Sequence, residues 1–340
     1  MNTRIGLLGG LLGAQVAIIA GLILASGLGS DAGGSQLLSF DPAKVTRLRV
    51  SGDEGAVQLI RDGEDWRLAP GSGQEAADGL PADGGKVSEL LADLSDLDAP
   101  WPVATSDDSA ERFEVTEDSH QRRLVIEDED GPMADLLLGT SPGYRRVHAR
   151  VSGQNDVYSI DFSNFEAPTD ADQWLDKALL SARGEVSSVV LEDAWRLDRP
   201  DGEWRIDDAP ADAEAANDLV RRFTSLRVLG MADEEDEADG EGGAVSESAG
   251  VFLVADADGE HRLALFHEAE EDDYSLTSNR VPGRFEVATY IAEQMLADPA
   301  DLRSEDGANG AADATDEPAE DAAGAQENRL EEGSAADQEG

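Results

Sequence analysis

Apolar residues follow three different rhythms along this chain. Residues 5–30 carry no charged side chain over 26 positions, long enough at ~1.5 Å per residue to cross the ~30 Å hydrocarbon core of a bilayer. Between about 39 and 302 short alternating runs prevail, such as Leu48 with Val50 and Val189 with Leu191, the period-two signature of strands with one buried face. Two segments break that alternation with helical spacing: Val87, Leu90, Leu91, Leu94 and Leu97, then, 129 residues on, Ala216, Leu219, Val220, Phe223 and Leu226.

That second helical segment belongs to a wider internal repeat. Val45, Leu48 and Val50 correspond to Val186, Val189 and Leu191, and the run from Arg61 to Trp66 corresponds to that from Arg199 to Trp204. Farther on, Glu127 to Gly131 matches Ala255 to Gly259, and Tyr144 with Arg150 to Gly153 matches Tyr274 with Arg280 to Gly283. Asp-Gly between apolar alternations marks hairpins, because glycine supplies the positive φ of the turn. Each unit therefore reads as strands, a Trp-bearing strand, one amphipathic helix and a meander of about four strands, which predicts an α+β fold of two tandem antiparallel sheets, each with one packed helix. Trp66, Trp204, Leu90, Leu94, Leu219 and Phe223 are the expected repeat core.

The predicted organisation is an anchor at 1–30, a linker at 31–38, a first repeat at 39–180, a second at 181–302 and a tail at 303–340. Arg4 precedes the uncharged run and Asp31 follows it, with no basic residue before Lys44. The positive-inside rule then places the N-terminus in the cytoplasm and the bulk outside, in the periplasm of a bacterium. A retained single-pass inner-membrane helix is expected over a cleaved signal, whose apolar region usually spans only ~7–15 residues. Small residues recur at Gly9, Gly13, Ala17, Gly21, Ala25 and Gly29, a stripe that would let another helix pack closely in lipid.

Charge adds an extreme: 26 basic against 74 acidic residues, a net of −48. That excludes nonspecific nucleic-acid binding, which draws its affinity from Lys and Arg on phosphates. Eight acids fall within 233–247 and 12 within 303–340, predicting an acidic loop and a disordered tail that cannot bury enough surface to order themselves. Three lysines stand against 23 arginines. Such a carboxylate-rich surface suits a salt-rich medium in which self-repulsion is screened, and recruitment of cations or a basic partner is the alternative.

An ordered set of segments resembles domain-of-unknown-function family 4340. It comprises Asp62 to Trp66, Pro81 to Asp83 leading into the helix, Arg112-Phe-Glu-Val115, Leu138-Gly139, Tyr144 with Val147, Val157-Tyr158 and Trp174 to Leu180. The likeness covers about 40 to 230 and is looser in the second unit; the acidic loop and tail depart from it. The resemblance implies one N-terminal membrane helix, an extracytoplasmic body and an accessory role beside an ABC-type ATPase, its permease and a gliding-motility-type auxiliary component. It supplies no catalytic residues.

Candidate chemistry is sparse. No cysteine is present, which removes thiolate nucleophiles and Cys-rich metal sites. Residues 79–87 miss the phosphate-loop pattern because Lys86 is displaced by one and Val87 stands where a hydroxyl is needed. Around Asp256 the first and twelfth calcium-loop positions are Val254 and Leu265. His120, His148, His261 and His267 lack helix-face ligand spacing. The expectation is a non-enzymatic accessory or scaffold subunit without cofactor, metal or catalytic residues, with an ABC-type permease or auxiliary transport subunit as partner. A periplasmic binding module for a peptide or polymer is second, favoured if exposed aromatics cluster on one face, and an envelope hydrolase is third.

Overall fold

The computed structural model describes residues 35–69, 77–232, 246–268 and 272–304. The expected membrane segment, with Gly9, Gly13, Ala17, Gly21, Ala25 and Gly29, lies outside the described residues. Among those described, no helix is long and apolar enough to cross a membrane.

The first unit runs through β1 (Ser35–Gln36), β2 (Arg47–Gly52), β3 (Gly55–Asp62), β4 (Asp65–Leu68) and β5 (Pro81–Ala82) to helix α1 (Gly84–Ser95). After β6 (Asp98–Ala99) and the short α2 (Asp107–Arg112) it ends in the meander β7 (Arg122–Glu127), β8 (Pro132–Leu138), β9 (Arg146–Val151) and β10 (Val157–Asp161). These strands form an antiparallel sheet ordered β5-β4-β3-β2-β7-β8-β9-β10.

The second unit repeats the plan with β11 (Ser188–Leu191), β12 (Trp195–Asp198), β13 (Arg205–Ile206), β14 (Ala209–Pro210) and the counterpart of α1, helix α3 (Ala213–Thr224). It continues through β15 (Val228–Met231), β16 (Ser246–Asp256), β17 (Gly259–Glu268), β18 (Asp273–Ser278), β19 (Arg284–Val287) and α4 (Thr289–Met295). The order β14-β13-β12-β11-β16-β17-β18-β19 copies the first sheet, and β15 is added beyond β19. In the first unit the segment after α1 runs along the same edge but makes only the bridge between Ala104 and Val157.

Alternation turns one row of each sheet inward. Leu48 faces Leu59 and Ile126 across its neighbouring strands, Leu59 faces Leu68, and Leu124 faces Leu136. Val189 likewise faces Leu197 and Val254, and Leu276 faces Leu265 and Phe285. Asp83 and Asp212 cap α1 and α3, accepting from the amides of Lys86 and of Glu214 and Ala215. Val87, Leu90, Leu91 and Leu94 of α1 and Ala216, Leu219 and Phe223 of α3 are buried, with Val220 partly so and Leu97 and Leu226 buried just beyond the helix ends, and a single buried cluster runs from Leu38 to Leu302 through both units. A smaller cluster of Ala110, Val115, Leu137 and Val157 is buried separately, with α2 contributing Ala110.

Three boundaries and one register differ from expectation. Ser35 and Gln36 already pair with β6, and Leu38 is buried, so the linker does not reach 38. Ser246 and Glu247, assigned to the acidic loop, pair with Glu268 and His267 as the start of β16. Arg303 bridges Ala211 and Ser304 donates to the Pro210 carbonyl, so the second unit extends through 304, and the rest of the expected tail lies outside the described residues. The two-residue strands β5 and β14 carry too little pattern to be foreseen. Leu137 pairs with Arg150 and Ala264 with Thr277, which makes Thr277, not Arg280, the counterpart of Arg150. Shifting a strand by an odd number of residues would turn its inward row outward.

Residues 170–182 strap the units together. Ala82 bridges Leu175, the Asp83 amide donates to the Trp174 carbonyl at 2.7 Å, and the Asp176 amide donates to the Pro81 carbonyl at 2.9 Å. On the other side the Ala182 amide donates to the Phe223 carbonyl and the Val228 amide to the Lys177 carbonyl, both at 2.9 Å. Met231 N–H donates to Asp172 at 3.1 Å. The strap thus joins the N-terminus of α1 to the C-terminus of α3.

Candidate functional site

The six repeat-core residues are placed alike in the two units. Trp66, Trp204, Leu90, Leu94, Leu219 and Phe223 are all buried in the shared cluster. Arg61 lies 5.6 Å from the ring centroid of Trp66 and Arg199 lies 5.1 Å from that of Trp204, so each unit covers its tryptophan with an arginine. Trp204 Nε1 donates to Asn217 at 3.0 Å. These residues build structure and line neither of the two openings described next.

The larger opening, about 410 Å³, lies on the first unit. Five carboxylates line it, Asp93, Asp96, Asp98, Asp161 and Glu166, together with Arg145 and Arg146. Asp93 belongs to the solvent side of α1, whose opposite stripe is buried. Arg146 is committed to Ser159 through Nε at 3.1 Å and Nη2 at 2.6 Å, whereas Arg145 lies 3.7 Å from Glu166. Burial raises the Glu166 carboxyl above its ordinary value; Arg145 opposes that shift, and Asp93 and Asp161 reinforce it.

Three exposed aromatic residues are chain neighbours of residues that line this cleft. Trp101, Tyr144 and Phe165 are each 92% exposed, and each follows or precedes a lining residue in the chain: Pro100, Arg145 and Glu166. The other four tryptophans, Trp66, Trp174, Trp195 and Trp204, are buried. Sequence reading missed the trio as a group, because none of the three belongs to a periodic apolar run; the available signal was aromatic residues standing outside the pattern, with Trp101 between two prolines.

The smaller opening, about 230 Å³, lies between the units. Arg67 comes from β4, Leu80 and Pro81 from the lead into α1, Leu179 and Ser181 from the strap, and His261 and Arg280 from the second sheet and its last turn, with Arg183 beside them. Arg280 grips the buried Asp256 through Nη1 and Nη2 at 2.7 and 2.8 Å, and its guanidinium holds that carboxyl well below the usual range. The four histidines are dispersed, and no group of three His, Cys, Asp or Glu that could hold a metal occurs among the described residues.

Residues 74–241 match the model of a family described as Domain of unknown function (DUF4340). That stretch belongs to the family. No curated protein and no solved structure matches the chain. The DUF4340 stretch holds the whole aromatic-flanked cleft, the strap and both long helices, whereas Arg67, His261 and Arg280 of the inter-unit pocket lie outside it.

Proposed function

We propose that the chain is a non-enzymatic, single-pass, membrane-anchored periplasmic subunit accessory to an ABC-type transporter or related envelope complex, and that it works by contact. The observation that carries this reading is the exposure of Trp101, Tyr144 and Phe165 beside one cleft of the DUF4340 stretch. Covering such rings returns about 1.5–3 kcal/mol each, and aromatic residues are the usual anchors of protein interfaces. The uncharged run at 5–30 supports the anchor and its orientation, and the small-residue stripe within it supports packing on a permease helix.

Full-length protein drawn from its native membrane in mild detergent should bring a permease or auxiliary transport subunit with it. Replacing Trp101, Tyr144 and Phe165 together by serine should abolish that association while leaving the thermal transition in place. Recovery of the protein alone, or association that survives the triple substitution, overturns the reading. The same aromatic grouping favours a peptide- or polymer-binding module as second reading, and binding of a soluble peptide or glycan by the isolated full chain would select it.

A further inference from the structure

The pocket between the units departs from the rest of the molecule in its charge. The chain has 74 acidic and 26 basic residues, yet the residues lining this pocket include Arg67, Arg183, Arg280 and His261 and no Asp or Glu. The carboxylates that pair with these arginines are not among the lining residues. Asp62 accepts from Arg67 Nε at 3.0 Å, while Arg67 Nη1 donates to the Gly79 carbonyl at 3.0 Å. Asp256 takes both Nη atoms of Arg280 and the Arg183 amide, and Asp258 accepts from Arg183 Nη1 at 3.3 Å. The guanidinium groups are thereby held in place before any ligand arrives.

His261 adds an independent pointer. It is 1% exposed, it lines the pocket, and its Nδ1 has no hydrogen-bond partner among the described residues. Ser278 Oγ lies 2.8 Å from His261 Nε2 and already accepts the Arg280 amide at 3.0 Å. When the Ser278 hydroxyl donates to Nε2, the neutral ring carries its own proton on Nδ1 as an unmatched donor. Burial first, and then the Arg280 charge, push this imidazole down to about 4, so it is neutral near pH 7. A buried donor without an acceptor is destabilising, and an acceptor in the pocket would remove that penalty.

We infer that this pocket binds a small oxyanion, as a free ion or as the phosphate or carboxylate end of a larger ligand, held by Arg67, Arg183 and Arg280 with His261 Nδ1 as a further donor. A volume of about 230 Å³ falls below the ~300–1,000 Å³ of sites that enclose drug-sized molecules, so the pocket suits a head group. Because its walls come from both units and the strap, the bound anion would also lock the units together. This site is independent of the transporter reading, sharing no residue with the aromatic-flanked cleft.

The test uses the full chain at constant ionic strength, titrated with inorganic phosphate, sulfate or succinate against chloride. Thermal unfolding and, for phosphate, 31P line width are followed. A saturable rise in Tm with at least one of the three anions is expected, and the tetrahedral and carboxylate arms identify which end is preferred. The double substitution Arg67→Gln with Arg183→Gln, at two solvent-facing side chains, should weaken the response tenfold or more; His261→Phe should weaken it while removing the orphaned donor. Arg145→Gln in the other cleft should leave it unchanged. Absence of a saturable response to all three anions, or an equal response in the double variant, overturns the site.

Discussion

The ammonium of Lys86 sits 4.8 Å from the ring centroid of Trp174 and donates to the Gln173 carbonyl at 2.7 Å, fastening the first turn of α1 to the strap. Trp174 itself is fully buried, and its Nε1 donates to the Pro168 carbonyl at 2.9 Å. The strap residues on either side bond to the first and second units in turn, so this contact lies on the path that couples them.

Trp174→Ala should therefore do more than lower stability. Loss of a buried tryptophan typically costs about 3–5 kcal/mol, and here the cavity opens where the units are joined. Urea unfolding followed by tryptophan fluorescence and by far-UV circular dichroism should show one coincident transition in the parent chain and two separated transitions in the variant. Trp174→Phe, which fills most of the volume, should restore coincidence. A single transition shifted as a whole in Trp174→Ala would show that the strap does not carry the coupling.

Gly139 is a second point of strict demand. A Cβ built there would lie 2.0 Å from the Phe113 carbonyl oxygen and 2.4 Å from that of Glu114, both backbone atoms that cannot swing aside. Gly139→Ala should cost at least the ~1–3 kcal/mol typical of overpacking. Gly131 has φ +133° but open space around its missing side chain, so Gly131→Ala carries conformational strain alone. Denaturant midpoints should fall farther for Gly139→Ala than for Gly131→Ala, and the reverse order would refute the steric account.

His261 sets a direction for pH. Its ordinary value of 6.5 applies to the unfolded chain, and burial brings it to about 4 in the fold. Between those values the unfolded chain binds the additional proton. Stability is therefore complete above about 6.5 and declines as the pH falls toward 4, by about 3 kcal/mol for this one group. His148, also lowered chiefly by burial, acts in the same direction. Unfolding free energies measured from neutral pH downward should decline less steeply in His261→Gln than in the parent, and an unchanged slope would remove His261 from the account.

Much of the fold was legible because its signals are local. The stripe Val87, Leu90, Leu91, Leu94 needs no distant information to define a helix, and glycines at 63, 131, 202 and 259 all take the positive φ that the turns require. Strand register was less legible: Arg150 and Arg280 match as letters, while Thr277 is the residue that occupies the equivalent rung. The openings were not legible at all. Arg67 and Arg280 meet one pocket only after two sheets dock through the strap, and Trp101, Tyr144 and Phe165, on three separate connections, each adjoin in the chain a residue that lines one cleft. Periodicity reports what is buried; it carries no record of which exposed side chains become neighbours.

Acidity bears directly on how stable that arrangement is at a given salt concentration. The cleft on the first unit gathers Asp93, Asp96, Asp98, Asp161 and Glu166 against Arg145 and Arg146, and Asp93 and Asp161 add to the rise of the Glu166 carboxyl that burial causes. A net charge of −48 spreads the same repulsion over the molecule. Raising salt to about 1 M shortens the screening length to ~3 Å, which weakens repulsion between exposed carboxylates more than it weakens the short Arg280 to Asp256 pair, whose carboxylate is buried. Tm should therefore climb as sodium chloride is raised from about 0.05 to 1 M. Asp96→Asn with Asp98→Asn should start from a higher Tm at low salt and gain less from its addition. A Tm that falls with salt, or a double variant with the parent's salt dependence, would mean that favourable ion pairs outweigh carboxylate repulsion in the folded chain.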